Sequence, residues 1–146
     1  MRAWKAAGLI VASAAAAFAA IPPMFSGTLE LSVAAAMPQW RISVKEVTDN
    51  RVSYVFRADE ATVSIDATFL HLPADAEDAL KHFKRRFGRT GAKVNGMGDD
   101  AICWIEAGGT CLLACRVANA FIQVGAPSYD DAIAFGKVAV AAAGGL

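Results

Sequence analysis

Apolar and polar side chains alternate along three segments in the first half of the chain, at residues 40–45, 52–57 and 62–69. A period of two residues places the apolar side chains on one face of a β-strand and the polar ones on the other. Residues 48–50 and 59–60, which separate the segments, have the composition of turns. The pattern predicts an antiparallel meander with one packed face. The expected inward positions of its first strand are Trp40, Ile42 and Val44.

Two later segments have the apolar spacing of a helix. The first follows Pro73-Ala74 and has Asp75 as its expected cap and Gly88 at its end. The second begins at Pro127-Ser128, with Asp131 three residues after the serine, and is apolar on all sides. A helix of that kind must be covered on more than one side. Either it lies across a sheet with a second helix against it, or it forms a subunit contact.

The stretch between these helices holds two further β-like segments, residues 101–106 and 110–117, followed by a strand at 121–125. Each half of the chain therefore consists of strands, a polar turn and a capped helix. The sequence predicts an α+β fold, with an antiparallel sheet of about five to seven strands and two main helices packed on one face. Two β-meander-plus-helix repeats would produce this order, although the generic features of strand ends and helix starts would produce it as well.

The N-terminus has the three parts of a secretory signal peptide. Arg2 and Lys5 precede an uninterrupted apolar run over residues 6–21, and Ala17-Phe18-Ala19 is an A-x-A cleavage pattern. The run is shorter than the roughly 20 residues of a good membrane-spanning helix. We expect residues 1–20 to be a signal peptide, with an uncleaved membrane anchor as the alternative. A second candidate cleavage site lies at residues 34–36.

Residues 21–39 contain Pro22, Pro23, Gly27 and Pro38 and have no sustained apolar period, which predicts a linker. Residues 40–146 are then expected to form a single α+β domain. Export implies a secreted or periplasmic location, or a membrane-tethered one if the N-terminal segment is not cleaved.

All three cysteines lie in the stretch from residue 98 to residue 127. Gly108-Gly109 predicts a hairpin turn, and the length of the loop decides which cysteines meet. A two-residue loop at 108–109 leaves no pair within bonding reach. A three-residue loop at 108–110 places Cys103 directly opposite Cys115, and Cys111 is then a free thiol. Buried inert thiols and a Cys103–Cys115 disulfide therefore both remain open, and the spacing contains no zinc or redox motif.

The charges balance, with 14 basic and 14 acidic residues, which gives no indication of a nucleic-acid partner. One local excess stands out around the end of the first predicted helix. It is either a solvated helix face whose cations suit the helix dipole, or a docking patch for an anionic partner. Its members are Lys81, Lys84, Arg85, Arg86, Arg89 and Lys93.

No convergent catalytic set, cofactor motif or metal site is predicted. An enzyme built on this chain would have to use His71, His82 or a cysteine together with Asp66, Asp99 or Asp100. Of these, His71 is in phase with the buried side of the third strand. The sequence therefore favours an exported cell-envelope domain that acts as a non-catalytic binding or accessory module. The alternatives are a membrane-tethered structural component and a small enzyme. The sequence does not identify a partner; another envelope protein and a second copy bound through the apolar C-terminal helix are the two candidates.

Overall fold

The computed structural model describes residues 20–88 and 90–144. The predicted signal peptide, apart from Ala20, and the patch residue Arg89 lie outside the described residues. The helices and strands follow in chain order: α1 Phe25–Ala36, β1 Arg41–Val47, β2 Arg51–Ala58, β3 Ala61–Phe69, α2 Pro73–Phe87, β4 Ala92–Lys93, β5 Asp100–Ile105, β6 Cys111–Val117, β7 Ala120–Ala126 and α3 Tyr129–Ala142.

The seven strands form one sheet in the order β1-β2-β3-β7-β6-β5-β4, and all neighbouring strands are antiparallel. The helices pack on this sheet, so the predicted α+β class and strand number are confirmed. At the centre of the sheet β3 pairs with β7, and Ile65 lies opposite Val124. The inward side chains of all the long central strands contribute to one main core.

The helices occupy both faces of the sheet, whereas the sequence predicted one. Helices α1 and α3 pack on the face formed by Leu113 and Ile122. Helix α2 packs on the other face, where its Leu80 meets Ala114 and Phe121. The physical reason is that β5, β6 and β7 carry apolar side chains on both of their faces, and each face must be covered. The second face of β1, β2 and β3 is mostly polar apart from Val44 and Val55, and no helix covers it.

The order of three strands followed by a helix occurs twice, as β1-β2-β3-α2 and β5-β6-β7-α3. The sheet order is also symmetric about the central β3–β7 pair. If a two-fold axis related the two halves, it would pass between the antiparallel strands β3 and β7 and be perpendicular to the sheet. Rotation about such an axis keeps each element on its own face, so α2 and α3 would lie on the same face. Because α2 and α3 lie on opposite faces, the two halves share the order of their elements but not their packing.

The predicted linker is wrong over most of its length, since residues 25–36 form helix α1. Phe25, Leu29 and Val33 recur at four-residue intervals and are completely or almost completely buried in the main core. Phe25 makes an edge-to-face contact with Phe69 of β3, with ring centroids 5.1 Å apart. The folded unit therefore extends to residue 25, well before the expected start at residue 40.

Helix α3 is capped by Ser128, whose hydroxyl oxygen accepts a hydrogen bond from the backbone N–H of Asp131 at 3.1 Å. One side of α3 lies on the sheet and another side contacts α1. The expected second helix is therefore α1. Phe135 on α3 makes an edge-to-face contact with Trp40 at 5.3 Å between ring centroids.

Strand β1 lies at the edge of the sheet, and all seven of its residues are exposed. Its pairing with β2 shifts between Ile42 and Val44, because a bulge there inserts Ser43. The alternation changes phase at the bulge, so Val44 faces away from the main core and Lys45 lies on the core side. The predicted inward position of Val44 is therefore wrong. The apolar and polar residues of this short segment alternate regularly in the sequence, so the bulge could not be detected from the pattern.

Candidate functional site

The C-terminal half of α2 carries the most concentrated charge on the described surface. The helix starts at Pro73, where Asp75 accepts a hydrogen bond from the N–H of Leu72 at 3.1 Å, and it ends at Gly88, whose φ is +86°. The N-cap is Leu72, three residues before the predicted cap Asp75, and the end at Gly88 is confirmed. Ala76 and Leu80 face the sheet, and Lys81, Arg85 and Arg86 lie on the outer side of the helix and are exposed to solvent.

We call Lys81, Lys84, Arg85, Arg86 and Lys93 the basic patch. All except Lys84 are exposed, and Lys84 is half-buried. Within the described residues, Lys84 is also the one member in an ion pair, with Nζ 2.9 Å from an Asp100 carboxylate oxygen. Residues 79–98 contain no Asp or Glu. Lys81 has Glu77 and Asp78 one turn before it on α2, whereas Arg85, Arg86 and Lys93 have no acidic neighbour along the chain.

A shallow hollow and an exposed aromatic ring lie next to members of the patch. His82, Arg85 and Arg86 line the hollow, which has a volume of about 430 Å³. Phe87, which is 41% exposed, packs against Phe83 with ring centroids 4.4 Å apart. The Arg86 guanidinium lies 5.9 Å from the centre of the Phe87 ring. An apolar ring is thus held in a fixed position beside Arg86, one of the patch cations.

A purely structural explanation covers part of this patch. Lys84, Arg85 and Arg86 occupy the last turn of α2, where cations interact favourably with the negative end of the helix dipole, typically by about 0.3–1 kcal/mol each. Lys81, one turn earlier, follows Glu77 and Asp78 at the spacing that stabilises a helix, but neither explanation applies to Lys93, which lies on β4. The patch is therefore larger than the helix alone requires.

The residues considered for catalysis are not brought together. His71 is exposed, because β3 ends at Phe69, so its predicted buried position is wrong; His82 is exposed on α2. Asp66 accepts hydrogen bonds from Arg51, at 2.6 Å from Nε, and from Ser53 at 2.8 Å.

Asp99 accepts a hydrogen bond from the N–H of Ala118 at 2.7 Å and lies 3.5 Å from Arg116, and Asp100 pairs with Lys84. No group of three or more His, Cys, Asp or Glu suited to a metal occurs within residues 20–88 and 90–144.

The cysteine pairing differs from the prediction. Cys103 is bonded to Cys111, and Cys115 is the free thiol. The hairpin loop comprises residues 107–109, because the N–H of Gly109 donates to the carbonyl of Glu106 and the N–H of Glu106 donates to that of Thr110, each at 2.8 Å. Gly109 has a φ of +89°. Positive φ costs little at glycine and much at a β-branched residue, so the loop ends before Thr110.

This loop lies one residue earlier than the predicted three-residue loop, and the register changes accordingly. Cys103 now lies opposite Leu113, and Cys115 lies opposite Ala101. All three cysteines are buried on the face that carries α1 and α3. Burial disfavours the thiolate and raises the pKa of Cys115 to about 12. The free thiol is therefore unsuited to nucleophilic chemistry.

Sequence reasoning missed a second polar surface, on the uncovered face of β2, β3 and β7. A depression of about 300 Å³ there is lined by Arg51, Ser53, Ser64, Asp66 and Gln123 among others. The alternating polar positions of β2 and β3 were a usable signal for it. Its one cation is paired within the depression, however, because both Asp66 oxygens accept hydrogen bonds from Arg51, and Glu46 is the other charged residue of the lining. We therefore regard the basic patch as the better candidate site.

The protein has an α+β fold with helices on both faces of a seven-stranded antiparallel sheet. Helix α2, on one of these faces, carries most of the cationic patch. No protein-family model, curated protein or solved structure matches this chain. Among the described residues, none of the helices has both the length and the apolar character needed to cross a membrane.

Proposed function

We propose that the protein is an exported, non-catalytic accessory domain of the cell envelope that binds an anionic partner through the basic patch. The observation that carries this proposal is the set of exposed cations on α2 and β4, of which only Lys84 has an ion-pair partner among the described residues. Exposed charges of one sign raise the local concentration of an oppositely charged partner and accelerate its association.

Export is supported by the N-terminal sequence and is compatible with the fold. Cleavage after Ala19 would leave α1 intact. Cleavage at the second candidate site, residues 34–36, would remove the buried Phe25, Leu29 and Val33 from the main core. A disulfide between Cys103 and Cys111 also suits an oxidising compartment.

The disposition of the polar groups favours binding over catalysis. A general base and a nucleophile must lie within hydrogen-bond reach of each other to act together. Here Asp66, Asp99 and Asp100 are each engaged by a cation or a backbone N–H, and the free thiol is buried.

A membrane-tethered structural component is the second candidate. It is favoured by Met24 and Leu31, which are 74% and 73% exposed and lie on or next to α1, directly after the apolar N-terminal segment. If that segment stays in a membrane, these two side chains would lie close to the lipid surface.

The intact mass of the protein purified from the exporting cell separates the two candidates. A mass lacking residues 1–19 supports the exported domain, whereas a full-length mass in the membrane fraction supports the tethered component.

Charge reversal then tests the patch. We expect the variant Lys81→Glu/Arg85→Glu/Arg86→Glu to be lost from the envelope fraction in a mild salt wash that retains the wild type. The matched control reverses three exposed cations elsewhere, in the variant Arg41→Glu/Arg57→Glu/Lys137→Glu, and has the same net charge. Equal retention of the two variants would refute patch-mediated binding.

A further inference from the structure

The geometry points to a bilayer surface rich in acidic phospholipids as the partner of the basic patch. This inference rests on the proposed function and adds the chemical class of its partner. Clusters of four to eight Lys and Arg side chains on a helix are typical of binding to anionic lipid, and each cation near the surface strengthens binding roughly fivefold. The described patch has five cations, and four of them are exposed.

The exposed ring of Phe87 favours a lipid surface over an acidic protein. Aromatic side chains bind at the boundary between headgroups and acyl chains, while neighbouring Lys and Arg side chains keep their charges in water. Phe87 is supported from below by Phe83 and by Trp104, whose ring centroid is 5.6 Å away. The ring is therefore partly exposed and held in place beside Arg86, at the end of α2 and on the edge of the helix nearest the sheet.

The shape of the patch is also suited to a bilayer. The patch lies on the convex outer side of α2 and has only the shallow hollow at His82, Arg85 and Arg86. A bilayer adapts to a convex surface, and the hollow is open enough to admit a phosphate headgroup. The N-terminal half of the helix carries Asp75, Glu77 and Asp78, which an anionic surface repels. The C-terminal end of α2 should therefore approach the lipid more closely than the N-terminal end.

Vesicle binding tests the charge requirement. The full protein, as purified from the exporting cell, is titrated with vesicles of phosphatidylcholine alone and with vesicles containing phosphatidylglycerol. We expect binding to the acidic vesicles only, weakened about 100-fold in Lys81→Gln/Arg85→Gln/Arg86→Gln. The control Arg41→Gln/Arg57→Gln/Lys137→Gln should bind within about threefold of the wild type. All variants share the same N-terminus, so any contribution from that segment cancels.

Salt dependence gives a second readout of the same contact. Binding should fall steeply between 0.05 and 0.5 M NaCl, because screening shortens the reach of surface charges from about 14 Å to about 4 Å. Millimolar inorganic phosphate should not displace the protein. Displacement by phosphate at constant ionic strength would instead identify the hollow as a small-anion site and overturn the lipid assignment.

The orientation can be measured independently of affinity. Phe87→Trp and Tyr129→Trp place a reporter at two sites of similar exposure, 41% and 43%, on the opposite-face helices α2 and α3. Brominated acyl chains should quench the Trp at position 87 and leave the one at position 129 unquenched. Trp40 and Trp104 are buried, and Trp4 belongs to the predicted signal peptide; all native tryptophans are common to both variants and form the same background.

Three results would overturn the inference: equal binding to neutral vesicles, equal loss in the two Gln variants, or stronger quenching at position 129. Far-ultraviolet circular dichroism of each variant shows whether α2 has remained folded. If the patch is needed for retention in the envelope but not for binding to acidic vesicles, the proposed function stands and its partner is a protein or another polyanion. If it is needed for neither, both proposals fail.

Discussion

Cys103 is bonded to Cys111, although the residue directly opposite Cys103 across the hairpin is Leu113. The two cysteines are diagonal neighbours on one face of the sheet, with Cα atoms 6.6 Å apart, which is within the range that disulfides span. Cys115 shares this face but lies opposite Ala101. The bond therefore fastens β5 to β6 near their turn, and leaves one thiol in the core.

Removal of the disulfide should destabilise the fold. A bond between residues eight apart closes a short loop and is expected to contribute about 2–3 kcal/mol to the free energy of unfolding. Urea unfolding of Cys103→Ala/Cys111→Ala against the wild type measures this difference. Peptide mapping without reduction should recover the Cys103–Cys111 link, and a Cys103–Cys115 link in folded protein would refute the register.

Cys115 should make stability fall with rising pH in the alkaline range. Its pKa is raised from 9.0 to about 12 by burial, so above pH 9 the unfolded chain loses this proton while the folded protein keeps it. The contribution of the thiol is complete below pH 9 and should decline by about 1.4 kcal/mol per pH unit towards pH 12.

The control is Cys115→Ala, which has no thiol to titrate, and the quantity to compare is the unfolding free energy of both proteins from pH 8 to pH 10.5. Parallel pH curves would contradict a buried thiol. Alkylation at pH 8 should likewise modify Cys115 only after unfolding.

Two leucines of α1 should respond very differently to truncation. Leu29 is fully buried in the main core, whereas Leu31 is 73% exposed on the same helix. We expect Leu29→Ala to lower the free energy of unfolding by about 2–5 kcal/mol and Leu31→Ala to change it by less than about 0.5 kcal/mol. Chemical denaturation of both variants measures this. Similar small effects would mean that residues 25–36 are a linker after all.

The contact between α1 and the sheet should weaken in acid. Glu30 accepts hydrogen bonds from Lys45 Nζ and from the Tyr54 hydroxyl, both at 2.6 Å, and these bonds lower the pKa of Glu30. A carboxylate whose pKa is lowered by folding stabilises the folded protein at pH values above its ordinary pKa of 4.5. This contribution is lost as the pH falls through the lowered pKa.

Glu30→Gln should therefore be less stable than the wild type at pH 7, and the difference should shrink at pH 3. Glu60→Gln, at the exposed turn between β2 and β3, is the control and should change the unfolding free energy by less than about 0.5 kcal/mol at either pH. A difference for Glu30→Gln that does not depend on pH would show that the carboxylate does not act through its charge.

The local sequence was sufficient for the features that depend on neighbours along the chain. The alternation in residues 52–57 and 62–69 predicted β2 and β3, because a half-buried strand needs that period. The cap at Ser128 and the end of α2 at Gly88 were predicted for the same local reason. The basic patch was also visible, since its members lie within thirteen residues of one another. That their charges are not balanced could not be predicted, because a partner such as Asp100 comes from another strand.

The features that the sequence left open all depend on distant contacts. Helix α1 is stable because Phe25, Leu29 and Val33 pack into a core formed by strands that come later in the chain. The apolar period of residues 25–36 is too weak to predict a helix from the sequence. The bulge at Ser43 and the loop ending at Gly109 each move a strand's register by one residue, which decides the position of Val44 and the partner of Cys103. The side of the sheet that α2 occupies was likewise decided by the apolar Ala114 and Phe121 on the second face. Local patterning thus determined which elements form, and tertiary packing decided how they meet, because register and face depend on burial that only the assembled sheet provides.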